Sequence, residues 1–401
     1  MGVVGMEKER ISRLVVEVSD YAKKLRNQFH MNPELSDQEV ETQKRICKEL
    51  DLMGIEYSTY EDMNGVIGII KGGKPGKTIA FRADMDALPI LEKNEVPYKS
   101  KNDGTMHACG HDVHMAILLG TAKVLASLKE ELAGNVKLFF QPAEESDGGA
   151  KRMIERGAME NPKVDYVFSQ HVEPEIELGL IRSKPKYFNA SSNTFYVTIR
   201  GKKSHGAYPE QGVDGIYTAA AIIMNLQSLI SRRIAAVDPA VLTIGKIEGG
   251  TASNIIADDV KFTIMLRTTR KETREKLIKG IQETIESISK INGAECEVIM
   301  GQYGYDAIYN DPDCTSEVER ICNHYLSQGS YLDLEAPFMG VEDFAYFLQE
   351  APGTYYQLGC RDEKKGIVSG LHFDTFDVAD GTIEKGILMQ CGLAVEFLSK
   401  K

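Results

Sequence analysis

The chain has 401 residues, 42% of them apolar and 26% charged, with a formal net charge of −12. That length exceeds one ordinary hydrophobic core and predicts two domains, while an acidic balance with no basic cluster among aromatics argues against a nucleic-acid partner. No run of eighteen apolar residues occurs, charge interrupts the segment Met1 to Arg10 before any signal-length stretch develops, and seven scattered cysteines read as reduced thiols, so a cytoplasmic protein with a small-molecule substrate and no membrane partner is expected.

Apolar periodicity predicts a first helix from about Glu7 to His30, ending near Asn32-Pro33, and a second from Ser36 to Met53, stopped by Gly54. Ser36-Asp37-Gln38-Glu39 has the form of a capping box for the second. Val66 to Ile70 and Thr78 to Arg82 read as strands joined by a hairpin turn over Lys71 to Lys77. A helix from Val113 to Leu128, a strand Val136 to Phe140, a helix around Ala150 to Gly157 and a strand Tyr166 to Phe168 follow. This alternation predicts an α/β sheet covered by helices.

The pattern changes near Lys184-Pro185-Lys186. Strand (Thr194 to Arg200), helix (Gly215 to Ser231), strand (Val241 to Ile247), strand (Val260 to Arg267), helix (Lys271 to Ile291) and strand (Ala294 to Met300) make a ferredoxin-like α+β unit inserted into the first domain. After Met300 the chain returns to loops and helices that complete the first domain. The expected segments are therefore 1–185, an insertion 186–300, and 301–401. No internal repeat or low-complexity stretch is present.

The densest chemistry lies in Met106-His107-Ala108-Cys109-Gly110-His111-Asp112-Val113-His114, one thiol and three imidazoles in nine residues. Cys and His are ligands for divalent transition metals, and a glycine-containing loop lets Cys109 and His111 converge on one ion. Asp112 reads as a cap for the following helix, and His107 and His114 as residues beside the ligands. Glu144-Glu145 follows an apolar strand and Pro142, with Asp147-Gly148-Gly149 behind it. Adjacent residues at a strand end point in different directions, so one carboxylate can ligate a metal while its neighbour faces a water. Taken alone, such a pair is a solvated surface, and His171 and His372, taken alone, are structural histidines.

Together with Leu25 to Leu35, the motifs Met106 to Asp112, Phe140 to Glu145, Met339-Gly340-Val341-Glu342-Asp343-Phe344 and Gly370-Leu371-His372 resemble the aminoacylase/carboxypeptidase amidohydrolases, a family that includes hippurate hydrolases, indole-acetyl-amino-acid hydrolases and N-acetyl-diaminopimelate deacetylases. The resemblance runs over almost the whole chain, in the family's order. It implies a catalytic domain with an inserted lid and dimerisation domain, and a homodimer or higher homo-oligomer. It implies two divalent metal ions, zinc, manganese, cobalt or nickel, with Cys109 bridging, His111 and Glu145 completing one site and His171 and His372 the other. Glu144 would be the general base, and the substrate an N-acyl amino acid, or a dipeptide if the chain is a dipeptidase or carboxypeptidase.

His205 in Ser204-His205-Gly206-Ala207-Tyr208-Pro209 corresponds to the family's lid histidine, expected to reach an active site, commonly a partner's. Asn254 matches its asparagine loop, and with Arg267 these side chains would hold the oxyanion and the carboxylate of the amino-acid product. Read plainly, Asn254 makes a turn and Arg267 pairs with a surface acid. Asp84 and Asp86 either orient ligand histidines or form a structural turn. The chain departs from many relatives at Ser169-Gln170 and Phe373-Asp374-Thr375, which leaves the ligand set intact and the transfer of substrate preference open.

Overall fold

The computed structural model describes residues 3–146, 148–301 and 304–400. Asp147, noted above as following the carboxylate pair, lies outside the described residues. In chain order the elements are α1 (Val3–Met31), α2 (Val40–Met53), β1 (Glu56–Thr59), β2 (Val66–Lys71), β3 (Lys74–Asp84), α3 (His111–Ser127), β4 (Ala133–Gln141), α4 (Ala150–Glu155), β5 (Tyr166–Glu177), β6 (Ile181–Ser183) and β7 (Lys186–Tyr187). Then come β8 (Ser191–Arg200), α5 (Gly215–Arg233), β9 (Ala240–Gly249), β10 (Asp259–Thr268), α6 (Lys271–Ile291), β11 (Glu295–Met300) and β12 (Tyr309–Asn310). The last stretch carries α7 (Pro312–Tyr325), β13 (Tyr331–Asp333), α8 (Phe347–Glu350), β14 (Gly353–Arg361) and α9 (Thr382–Ser399).

Two compact units result. One holds the chain up to Lys186, Tyr309–Glu335 and Asp343 onward; the other holds Tyr187–Ile308 and Ala336–Glu342. The short return of Ala336–Glu342 to the second unit is fixed by backbone bonds, Phe338 N–H to Phe188 O and Ala190 N–H to Gly340 O.

The first unit is built on a mixed eight-stranded sheet of order β1-β2-β4-β3-β5-β14-β6-β13. Its central strands β4, β3, β5 and β14 run parallel and are buried along most of their length, β3 from Thr78 onward, as strands covered on both faces must be. Along β4, Leu138 and Phe140 join the core formed with α1, α3 and α9, while Phe139 faces the other way and stacks on Phe347 of α8. The helices α3 and α9 pack through reciprocal glycines, Gly120 beneath Ile387 and Gly386 beneath Ile117.

Several expectations need correction. The segment Lys71 to Lys77 reverses the chain, but β2 and β3 do not form a hairpin: β4 lies between them, antiparallel to β2 and parallel to β3. The turn amides of Gly72, Gly73 and Lys74 bond to the carbonyls of Gly134, Lys129 and Leu132, so the turn wraps the edge of β4 instead of closing a ribbon. The second helix begins at Val40 and not at Ser36, because Ser36 and Glu39 spend their side chains on other partners. The region after Met300 contributes more than loops and helices: β14 is an interior strand of the sheet, and its mixed run Gly353-Thr354-Tyr355-Tyr356-Gln357-Leu358-Gly359 carries no alternation to announce it.

In the second unit, the four strands form an antiparallel sheet of order β11-β8-β10-β9, with α5 and α6 packed on it through Ile222, Leu226, Leu277, Ile281 and Ile285. Strand order 4-1-3-2 in a βαββαβ chain is the ferredoxin-like arrangement that the sequence pattern predicts.

Candidate metal centre

The carboxyl ends of β3, β4 and β5 meet the N-terminus of α3, the edge at which a parallel sheet presents chemistry. Gly110, in the left-handed region at φ 85°, caps α3. A Cβ there would fall 2.3 Å from Val172 Cγ2, so only glycine lets the Cys109 loop approach β5 this closely. His372 arrives from the far end of the chain, also left-handed at φ 65°, with its N–H donating to Ala108 O at 2.8 Å. Non-glycine residues in that region store strain that the surrounding structure must over-determine.

The expected ligands converge. Cys109 Sγ lies 3.4 Å from His171 Nε2 and 3.3 Å from His372 Nε2. Glu145 Oε1 lies 3.3 Å from His372 Nε2 and 3.8 Å from His111 Nε2. One ligand atom each from Cys109, His111 and Glu145 falls within a common 4.8 Å, as does one each from Asp84, His111, His114 and His171. Glu144, buried beside Glu145, completes the group.

Around these residues sits a shell that fixes their directions. Arg82, fully buried, donates to Asp84 Oδ2 at 2.6 Å, Gln141 Oε1 at 2.8 Å and Asp343 Oδ1 at 2.9 Å. Asp84 Oδ1 in turn takes the Nδ1 proton of His114 at 2.6 Å, and His114 Nε2 accepts the Val172 N–H at 2.9 Å. Both nitrogens of His114 are thereby used, which makes it a brace for β5. His171 donates from Nδ1 to Val172 O at 2.7 Å, leaving the Nε2 lone pair facing the thiol. Asp86 Oδ1 stands 3.3 Å from His111 Nδ1.

The electrostatics suit a cation. Burial pulls the His111 imidazole down, but Asp84, Asp86 and Glu145 outweigh it and push it up to about 10. Burial and the neighbouring acids Glu145 and Glu144 hold the Cys109 thiol well above its ordinary value. Burial, with His114 adding to it, drives His171 well below, so it is a neutral donor. His111 Nε2 and Glu145 Oε1 are buried without a well-formed hydrogen bond. Orphaned ligand atoms of thiol, imidazole and carboxylate chemistry, crowded by buried negative charge, fit divalent transition metals.

Asp112 does not cap α3. Its Oδ2 accepts from Arg26 Nε at 2.7 Å and from His30 Nδ1 at 2.8 Å, since a buried guanidinium and imidazole compete for it more strongly than backbone amides do. His107 is buried with neither ring nitrogen paired, and burial pushes it down to about 4. Of the positions where the chain departs from relatives, Gln170 is buried, with its Oε1 accepting from Tyr356 Oη at 3.2 Å, whereas Phe373 is 61% exposed. Sequence reasoning gave Ser36 and Glu39 only a capping role and gave Arg82 and Gln141 none of their own, although both stand in or beside the motifs that carry Asp84 and Glu144-Glu145.

In the second unit, His205 and Asn254 lie together: His205 bridges Ile255, and Gly206 N–H donates to Asn254 O at 2.7 Å. His205 itself is exposed. Arg267 is half-buried at the opposite end of β10 from this loop, with Nη1 3.4 Å from Met339 O. Eight residues of strand separate Asp259 from Arg267, about 25 Å. One unit therefore does not gather all three expected substrate-binding residues at one point.

Comparison with known proteins matches this architecture to a family. The model of peptidase family M20/M25/M40 matches residues 80–395. Thermostable carboxypeptidase 2 of Saccharolobus solfataricus is 39% identical over 395 residues, 98% of this chain and 99% of that one. IAA-amino acid hydrolase ILR1-like 2 of Arabidopsis thaliana is 37% identical over 388 residues, 96% and 87% of the two chains. Among solved structures, the YXEP protein of Bacillus subtilis, a dinuclear metal binding peptidase from the M20 family, aligns with a TM-score of 0.82 at 32% identity, covering 96% of this chain and 99% of that one. The chain belongs to peptidase family M20/M25/M40, and is a metal-dependent enzyme of the amidohydrolase and metallopeptidase type.

Proposed function

We propose that the protein hydrolyses the amide bond of an N-acyl amino acid at a centre of two divalent metal ions. Cys109, His111, Glu145, His171 and His372 would hold the ions, and Glu144 would act as general base. The observation that carries this reading is the convergence of five ligand side chains from four separate segments, with a second buried carboxylate adjacent. The dinuclear centre named for YXEP supports two ions. Thiolate and imidazole suit zinc, cobalt or nickel, and the carboxylate admits manganese.

When bound, such ions supply Lewis acidity that lowers the pKa of a water and polarises the scissile carbonyl. Glu144 takes a proton from the attacking water and delivers it to the departing amine nitrogen, so one carboxylate serves both half-steps. His205 and Asn254 donate to the oxyanion, and Arg267 pairs with the carboxylate of the amino-acid product. The separation of Arg267 from His205 along β10 favours a homodimer in which each chain lends His205 to its partner's centre. Exposed Ile216, Tyr217 and Met224 on α5, and Val241 and Ile247 on the edge strand β9, offer an apolar face for that contact. No helix among the described residues is long and apolar enough to cross a membrane.

The likeness to a carboxypeptidase favours a second reading, hydrolysis of a dipeptide or peptide C-terminus at the same centre. The test is turnover of N-acetyl, N-benzoyl and N-indoleacetyl amino acids beside dipeptides, by metal-stripped protein reloaded with zinc, manganese, cobalt or nickel. Turnover of acylated substrates, lost by about 10²–10⁴-fold in Glu144→Ala with metal content retained, is the expected result. A requirement for a free α-amino group would select a dipeptidase, and turnover of N-blocked peptides in preference to acylated amino acids would select a carboxypeptidase. Metal binding without turnover on any substrate would overturn both.

A further inference from the structure

The residues that the sequence offers as a helix cap, Ser36 and Glu39, are used in the fold for something else. Glu39 is fully buried, and α2 starts after it without a side-chain cap. Its Oε1 accepts the N–H of Ala143 at 2.9 Å, and Asn64 Nδ2 donates to its Oε2 at 3.2 Å. The next two amides along the chain end on a second buried carboxylate: Glu144 N–H on Asp86 Oδ1 at 3.1 Å and Glu145 N–H on Asp86 Oδ2 at 3.0 Å. Ser36 Oγ donates to that same Oδ2 at 2.6 Å. Three consecutive backbone amides are thus held by two carboxylates, and both carboxylates are tied to the connection between α1 and α2.

The clamp has a structural task to perform. Ala143 sits in the left-handed region at φ 56°, a conformation that costs a side-chain-bearing residue energy and that turns the chain so that Glu144 and Glu145 leave the end of β4 in different directions. A charge-assisted bond from a buried amide to a carboxylate is a strong way to hold such a turn. The connection itself is anchored: the Glu34 carboxylate accepts from Glu41 N–H and Thr42 N–H, and Ala87 N–H donates to Glu34 O next to Asp86.

We propose that Glu39 is a positioning residue for the reaction: through the Ala143 amide it sets the turn that aims Glu144 at the water and Glu145 at the metal, with Ser36 acting in parallel through Asp86. This rests on the assignment of Glu144 and Glu145 above. It gives the N-terminal connection a role in catalysis although it contributes no ligand and touches no substrate.

The experiment compares Glu39→Met, which keeps the side-chain volume and removes the acceptor, with Glu39→Gln, which keeps an oxygen for Ala143, and with Asn64→Ala, which loosens Glu39 from its other side at a half-buried loop. Each is assayed in the metal-loaded enzyme for kcat and KM, as the metal-stripped protein for chelator-competed cobalt affinity, and as the cobalt form for its visible absorption spectrum. Glu39→Met is expected to lose about 10–100-fold in kcat and in cobalt affinity with KM little changed, and to shift the cobalt spectrum, because a misaimed Glu145 alters the ligand field. Glu39→Gln is expected to stay within a few-fold of the parent in all three, and Asn64→Ala to lie between them. Parental kcat, cobalt affinity and spectrum in a folded Glu39→Met would overturn the proposal. Should that variant not fold, parental values in Asn64→Ala, or a Glu39→Gln as impaired as Glu144→Ala, would do the same. Full activity in Glu144→Ala, by contrast, would remove the general-base assignment and leave the turn geometry and the cobalt readouts to be judged separately.

Discussion

At the scale of single residues, buried charge is concentrated where the ligands meet, and each acid is paired or shared. Glu39 is among the acids shifted upward: burial, and the nearby Asp86, raise it to about 7 from an ordinary 4.5, and burial raises Asp343 as well. A carboxyl whose folded pKa lies above its unfolded value contributes stability that is fully present below pH 4.5 and is lost as the pH rises through 7. In the metal-stripped protein, Glu39→Gln should therefore gain stability over the parent between pH 5 and pH 8, by up to about 3 kcal/mol. Paired urea melts at those two pH values check it, and an equal difference at both would contradict it. Asp84 behaves oppositely: burial raises it, but Arg82, His111 and His114 outweigh that and hold it well below the carboxylate range. It therefore stays ionised as the common partner of Arg82 and His114.

The elements determine how tightly those residues can be held. α3 carries His111 and His114 at its first turn and is buried along nearly its whole length, so it has no solvent face on which to shift. Its contact with α9 depends on glycine: a Cβ at Gly386 would meet Ile117 Cδ1 at 2.4 Å, and one at Gly120 would meet Ile387 Cδ1 at the same distance. Gly386→Val should force the two helices apart, at about 1–3 kcal/mol. A matching fall in denaturation midpoint is expected, with a loss of metal affinity because α3 moves as a body. If Gly386→Val were as stable as the parent, the close packing would not be what fixes α3. Strand β5 is similarly held, with the Val172 amide on His114 and β14 paired along its length, and this holds His171 opposite Gln357.

For the whole molecule, the proposed reaction needs groups that hold the oxyanion and the product carboxylate besides the ligands and base. The sheet unit gathers the proposed ligands and the proposed base, Glu144; the ferredoxin-like unit holds His205 and Asn254 at one end of its sheet and Arg267 near the other. If His205 serves a partner's centre, His205→Ala and Glu144→Ala should each be inactive alone, and exchanged mixed dimers should recover about a quarter of parental activity, the share expected when one of the two centres in half of the dimers is intact. Sedimentation at the assay concentration would establish that dimers form, and co-purification of an untagged variant with an affinity-tagged one would establish that they exchange. Exchange without recovery would place His205 in the centre of its own chain.

The sequence alone determined which side chains make up the candidate centre and the type of each unit. Cys109, His111, Glu144 and Glu145 are legible because thiol, imidazole and carboxylate side chains are too concentrated there for chance. The βαββαβ order of the insertion is legible because alternation and 3.6-residue periodicity are local properties of the chain. Only the tertiary structure decided the rest, because it depends on contacts between residues far apart in the chain. No local pattern reveals that β4 would separate β2 from β3, or that β14 would lie inside the sheet. Nor does one show that Asp112 would serve Arg26 and His30 instead of a helix end. Ser36 and Glu39 show the difference most directly: their spacing satisfies a local capping rule, but burial beside Asp86 and the Ala143 amide offered stronger partners, and the helix began three residues later than that rule would place it.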